Sequence, residues 1–334
     1  MQTAQPNTLL VAGALVEPGW VAPEAIAREL GAPPWAQSLD ARTDLRVPAD
    51  AVPAAAHDLW LRDHFFPSLD DPGALSTARR IGALPSAALD SLDASRDAWL
   101  LEPAHFHLSR DHVALVHGAL ASLDRDDATA LAAAIEPTLR DAGLACIVAT
   151  PHAWLAQARD ARRWTLRAPG SESAWGRNVD AWLPEGPDAR AWRRVLNEIQ
   201  MTWHTHAVNA ARAARRELPA NAVWLGGPVS PALVARWRDT GSLGLVFDDS
   251  ALRHRLSDDR EGWLGNLGPL AARIGATLDA APAARVVLAG EQTTRTLTRA
   301  GHGPASWWRR LRGLASGRED AHALAGWFHE VVPS

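Results

Sequence analysis

Residues Leu196–Gly227 read LNEIQMTWHTHAVNAARAARRELPANAVWLGG. Together with Trp192 and Val195 just upstream, Leu196, Ile199 and Trp203 recur every three to four positions. That spacing predicts a helix beginning near Asp188 with those five side chains on its core face. Asn197, Glu198, Gln200, His204 and His206 lie along the same run, a second helix carrying Arg212 and Arg215 is expected from Asn209, and Pro219 and Asn221 precede an apolar strand. Guanidinium forks and amides recognise carboxylate or phosphate directionally, and the first N–H groups of a helix favour the same ions. The run is therefore read as an anion-holding segment. The competing reading is plainer: Asn197, Gln200 and His204 satisfy buried backbone groups, while Arg212 and Arg215 form ion pairs.

Working outward, the chain after Gly227 alternates helix and strand: Pro231–Arg238 helical, Leu243–Phe247 a strand, Trp263–Leu278 helical, Arg285–Ala289 a strand. An apolar strand at Asn7–Leu15 followed by a helix from Pro23 to Gly31 belongs to the same pattern, which predicts a parallel sheet with helices on its faces. A further helical stretch spans His57–Phe66, and Pro67–Asp97 reads as loops and short helices. Upstream of the opening stretch the character differs. Trp99–His117 alternates about Ser109–Asp111 as a hairpin, Asp124–Ala142 is an amphipathic helix capped by Asp124 and kinked at Pro137, and strands follow at Leu144–Ala149, His152–Ala156 and Arg163–Arg167. This predicts an inserted antiparallel region. The expected fold class is α/β, divided as 1–97 and 228–334 for the core and 98–227 for the insertion.

The same residues carry a family likeness. The NEIQM helix, the arginine pair, Pro219 with Asn221 and the WLG strand resemble the RpfE-type bacterial regulatory proteins, as do EPAHFHLSRD from Glu102, ACIVATPHAWL from Ala145 and RRWTLRAP from Arg162. Those proteins are in turn similar to archaeal cofactor-independent phosphoglycerate mutases of the alkaline-phosphatase-like superfamily. The resemblance implies a degenerate alkaline-phosphatase-like sheet and a phosphoglycerate-mutase-like regulatory protein without catalysis. It also implies a small phosphorylated or carboxylated ligand held by Asn209, Arg212, Arg215 and Asn221, with Asn197, Gln200, His204, His206 and His105 as neighbours, and a possible regulatory protein partner. Ala207 stands where the family has proline and Arg216 where it has glycine.

The superfamily's chemistry needs paired divalent ions and a phosphoryl-accepting hydroxyl. Here the first strand ends Val11-Ala12-Gly13 without a carboxylate, and the late strand runs into Glu291-Gln292-Thr293-Thr294 rather than an Asp-His pair. No catalytic residue, metal site or cofactor is expected. An active metal-dependent mutase using Asp248, Asp249 and Glu291 is the alternative, and a protein-interaction module presenting Trp307 and Trp308 is the second. His105 and His107, joined by His112 or His117, have zinc-like spacing but only His105 fits the family pattern.

Composition narrows the rest. The 334 residues carry a net charge of −4 with arginines scattered among acids, so nucleic acid is excluded as an expected partner. All 34 basic residues are arginine and tyrosine is absent, which removes lysine- and tyrosine-based mechanisms. No GxSxG, GxGxxG or P-loop occurs. The single cysteine, Cys146, precludes an internal disulfide and reads as a buried strand residue. With no long apolar span, no membrane association and a cytoplasmic location are expected.

Overall fold

The first compact unit, Met1–Pro67 with Asp239–Ser334, is built among its described residues on a five-stranded mixed sheet flanked by α-helices. The structure is a computed structural model that describes residues 7–31, 33, 35–36, 39–46, 55–116, 120–159, 164–299 and 324–330. In chain order this unit holds β1 (Thr8–Ala12), α1 (Pro23–Leu30), β2 (Leu39–Arg46) and α2 (Ala56–Phe65), all before the second unit. The sheet order is β2-β11-β10-β1-β9, with β9 (Leu245–Asp248), β10 (Arg285–Ala289) and β11 (Thr293–Arg299) coming from the C-terminal part. β1 lies parallel to both β9 and β10, while β11 and β2 continue the sheet antiparallel.

Alternation along the strands sorts the two faces. Leu9 and Val11 of β1 with Val286 and Leu288 of β10 join α1 and α10 (Arg260–Ala280) in one apolar core that also takes Trp263 and Phe328. Leu10 pairs in register with Phe247, whose ring lies 5.7 Å from that of His57 on α2, so α2 covers the opposite face. The expectation of helices on both faces of a parallel core is met, and the antiparallel β11 and β2 are additions. Their residues, such as Thr293, Thr294, Arg295 and Thr296, lack the continuous apolar run that marks a buried strand.

The second unit, Ser68–Arg238, has its own antiparallel sheet in the order β6-β7-β3-β8. It contains α3 (Gly73–Gly82), α4 (Ser86–Asp90), β3 (Ala98–Ala104), the hairpin β4 (Phe106–Leu108) and β5 (Val113–Leu115), α5 (Arg125–Asp141), β6 (Leu144–Thr150) and β7 (Ala153–Ala158). After these come α6 (Ala189–His204), α7 (Ala207–Ala214), β8 (Ala222–Val229) and α8 (Pro231–Arg238). The hairpin turn falls where the sequence places it, but β3 pairs with β7 and β8 instead of forming one of its arms. No regular strand forms at Thr165–Arg167; Arg167 makes a single bridge to Glu185, and Arg163 lies outside the described residues.

The seams also fall elsewhere than expected. The helices α3 and α4, assigned from sequence to the N-terminal core, belong to the second unit because Ala74, Ala78 and Ile81 bury against Ala98, Leu100, Leu155 and Val229. Helix α8 joins the same core through Val234. α5 is capped as expected, with Asp124 accepting from the Asp127 amide at 2.8 Å, and Gly143 follows its end at φ 77°. Trp307 and Trp308 lie outside the described residues. None of the helices among the described residues is long and apolar enough to cross a membrane.

Candidate functional site

Helix α6 buries Trp192, Val195, Leu196, Ile199 and Trp203, the five side chains its periodicity marks. The chain turns at Thr205 and α7 begins at Ala207, before Asn209, because the His206 imidazole accepts the Val208 amide at 3.2 Å and caps the helix. A proline is not needed for this break. At the far end Arg216 adopts φ 61°, the left-handed conformation that glycine takes most readily.

Beyond the cap, Asn209, Arg212 and Asn221 each bond to backbone groups. Buried Asn209 donates to the carbonyls of Trp203 and Ala220, each at 2.7 Å, and accepts the Ala220 amide at 2.9 Å. Arg212 is fully buried, its Nε on the Leu218 carbonyl at 2.8 Å, with Nη1 at 3.3 Å from Ser122 Oγ and 3.4 Å from Glu217. Asn221 brackets Phe106, accepting its amide at 2.7 Å and donating to its carbonyl at 2.9 Å. His105 Nδ1 meets the Pro219 carbonyl at 2.9 Å, and burial pushes this imidazole below its ordinary value.

The structure therefore gathers buried His105, Asn209 and Arg212 and half-buried Asn221 into a clamp around Leu218–Asn221. Arg215 is half exposed and pairs with Glu217 at 3.0 Å and Asp127 at 3.8 Å. Asn197 and His204 are exposed and Gln200 half-buried, and none of them bonds to the clamp among the described residues. His107 lies with its ring centroid 6.1 Å from that of His105, yet no group of three His, Cys, Asp or Glu suited to a metal ion occurs among the described residues. Cys146 is half-buried, its thiol pushed up to about 12 by desolvation.

A second polar cluster in this unit escaped the sequence reading. Arg79 and Arg80 on α3 face Glu102 on β3 and Glu172 in the turn Ser171–Ser173: Arg79 pairs with Glu172 and Arg80 with Glu102. Arg80 also lies 3.6 Å from Glu172 and its guanidinium stands 5.7 Å from the Trp175 ring centroid. The signal available was a doubled arginine among Leu75, Ala78 and Ile81 of an amphipathic helix, in a stretch otherwise read as loops and short helices. Burial raises the Glu102 carboxyl above its ordinary 4.5, opposed by Arg80 and by the Ser171 hydroxyl and reinforced by Glu172.

That shift has a definite sign. Below pH 4.5 Glu102 is protonated in the folded and unfolded chain alike, whereas above it the unfolded chain ionises before the buried carboxyl does. Its contribution to stability is lost as pH rises through the raised value. Glu102→Gln removes this dependence, so the variant should gain stability relative to the parent as pH climbs from 4.5. Urea midpoints measured across that range would show diverging curves; parallel curves would sink the assignment.

At the C-terminal ends of the parallel strands in the first unit, arginines sit on the carboxylates. Asp248 Oδ2 lies 2.8 Å from Arg273 Nε, and its Oδ1 accepts the Ser250 amide at 2.9 Å. Asp249 is the residue before α9 (Ser250–Leu256) and lies 3.5 Å from Arg253. Arg255 pairs with Glu17, approaches Glu291 at 3.9 Å and acts electrostatically on Glu330. Glu330 accepts the Gln292 amide at 3.0 Å, and burial holds its carboxyl above the usual range. These side chains do not fit the paired divalent ions that the family likeness implies, because the cationic positions among them are taken by guanidinium groups.

Fold and site together define a mixed α/β protein with a mixed sheet in one unit and an antiparallel sheet in the other. It is similar in structure to the PH0037 protein from Pyrococcus horikoshii at 12% identity and TM-score 0.46, over 99% of this chain and 100% of that one. It is also similar to a cofactor-independent phosphoglycerate mutase from Thermoplasma acidophilum DSM 1728 at 15% identity and TM-score 0.33, over 89% and 90% of the two chains. No family model matches the chain, and no curated protein matches it.

Proposed function

We propose that this chain is a non-catalytic, phosphoglycerate-mutase-like regulatory protein that binds a small phosphorylated or carboxylated metabolite. The observation that carries the non-catalytic part is the pairing at the strand ends. Asp248 is held by Arg273, and Glu17 and Glu291 by Arg255. A divalent ion entering there has to displace a permanently charged guanidinium, and the guanidinium supplies neither an open coordination position nor an activated water. The regulatory role rests on the resemblance of the sequence motifs to those of RpfE-type proteins.

In this reading the anion is met by guanidinium groups that remain open to solvent. With Arg212 buried in the clamp and Arg215 paired, the arginines left open to solvent here are Arg190, Arg193 and Arg194 on the outer face of α6 and Arg216 just after α7. Among the described residues they have no ion-pair partner. Arg193 and Arg194, three and four positions after Arg190 on α6, are repelled by it, and Arg190 in the first turn also opposes the helix dipole, a cost that a bound anion offsets.

The test combines two measurements on the purified chain. Phosphoglycerate at a hundredfold excess over its dissociation constant should stabilise the fold by about 2.7 kcal/mol. Arg190, Arg193 and Arg194 changed together to alanine should abolish the effect. Manganese-dependent interconversion of phosphoglycerates, lost on chelation, would overturn the non-catalytic reading.

A further inference from the structure

A cleft of about 1050 Å³ opens in the second unit, lined by Trp99, Trp164, Leu166, Arg167, Glu185 and Pro228 among others. Ligand pockets run to about 300–1,000 Å³, so its size suits an organic molecule larger than a three-carbon acid. Its walls are set in advance. Trp164 donates its indole N–H to the Ala142 carbonyl at 3.2 Å and packs edge-on against Trp192, with ring centroids 6.2 Å apart, while remaining half exposed. The segment Arg167-Ala168 is bonded on both sides: to Glu185 through two backbone hydrogen bonds of 2.9 Å, and to Gly227 through two more of 2.9 Å. Arg96 on the rim is fixed by Asp93 at 2.9 Å and the Ala158 carbonyl at 2.5 Å.

Three charged side chains lining the cleft, Arg167, Glu185 and Asp97, are left over, and the first two stand side by side. Arg167 and Glu185 are direct partners in the antiparallel bridge, which puts their side chains on the same side of it. Opposite charges so placed ordinarily close on each other. Here both are exposed, and neither makes an ion pair with the other or with any described residue. A cation and an anion held open beside a fixed indole face form a receptor for a molecule with the reverse arrangement: a carboxylate, an ammonium and an apolar body.

We propose that this cleft binds an α-amino acid, or a short peptide, with a large apolar side chain. The carboxylate is taken by Arg167 in a forked pair, the ammonium by Glu185, and the side chain by Trp164 and Trp99. This site is separate from the outer face of α6 and does not depend on the anion reading given there.

Calorimetric titration of the whole chain with L-phenylalanine, L-phenylalaninamide and N-acetyl-L-phenylalanine separates the contributions. Phenylalanine should bind, and each blocked analogue should bind at least tenfold more weakly. Arg167→Ala should erase the preference over the amide and Glu185→Gln the preference over the acetylated form. Both positions are exposed, so these variants keep the fold. No heat from phenylalanine at millimolar concentration, or equal affinity for the blocked forms, overturns the proposal. Tighter binding of the acetylated form would place a simple anion in the cleft, overturning the zwitterion assignment while leaving the α6 proposal intact.

Discussion

Replacing Arg212 by alanine is expected to destabilise the second unit by about 2–3 kcal/mol, below the range for a fully buried charged pair because Glu217 keeps a quarter of its side chain in solvent. The guanidinium is fully buried and holds the Leu218 carbonyl at 2.8 Å, Ser122 at 3.3 Å and Glu217 at 3.4 Å. Its removal leaves the part-buried Leu218 carbonyl without this donor and opens a cavity where the buried side chain stood, so two penalties add. Arg215, three residues on and half exposed, holds only surface carboxylates, and its loss should be slight. Chemical unfolding of the two single variants reads the contrast directly. Equal losses would mean that Arg212 is not a clamp. The same contrast explains why a paired Arg212 and Arg215 replacement cannot report on ligand binding, since the fold responds before the ligand does.

Much of the architecture was legible because its signals are local. The core face of α6, the Asp124 cap, β10 and α8 follow from spacing and punctuation within a few residues of themselves. What escaped depends on partners far along the chain. β3 looks like one arm of a hairpin, yet its partners β7 and β8 lie about fifty and more than a hundred residues downstream, and no periodicity encodes that choice. The candidate site was legible to the same degree. Sequence marks Asn209, Arg212 and Asn221 as unusual but cannot tell whether an amide or guanidinium faces a ligand or a carbonyl, because both uses need the same donors. Arg79, Arg80, Glu102 and Glu172 become a cluster only after α3, β3 and the Ser171–Ser173 turn meet.

Gly13→Ala should cost the first unit about 2–5 kcal/mol, from a left-handed backbone and from overpacking together. Gly13 closes β1 at φ 73°, and a Cβ there would stand 2.5 Å from Leu252 Cα and 2.7 Å from its nitrogen, backbone atoms of α9 that cannot swing aside. Its carbonyl accepts the indole N–H of fully buried Trp263 at 2.9 Å, so α10 holds the same point. Gly19 supplies the control: its φ is 90° but nothing lies within 4 Å of the added atom, and Gly19→Ala should carry only the backbone strain, about 1–2 kcal/mol. Thermal unfolding of the two variants separates crowding from strain, and equal shifts would remove the crowding term. The contrast bears on function. The strand end, where the family likeness implies a metal-binding carboxylate, is instead the fully buried Ala12 followed by a glycine pressed against α9. A carboxylate introduced at Ala12 enters a packed apolar environment and not an open coordination site, so restoring that single ligand should destabilise the sheet without recovering metal affinity.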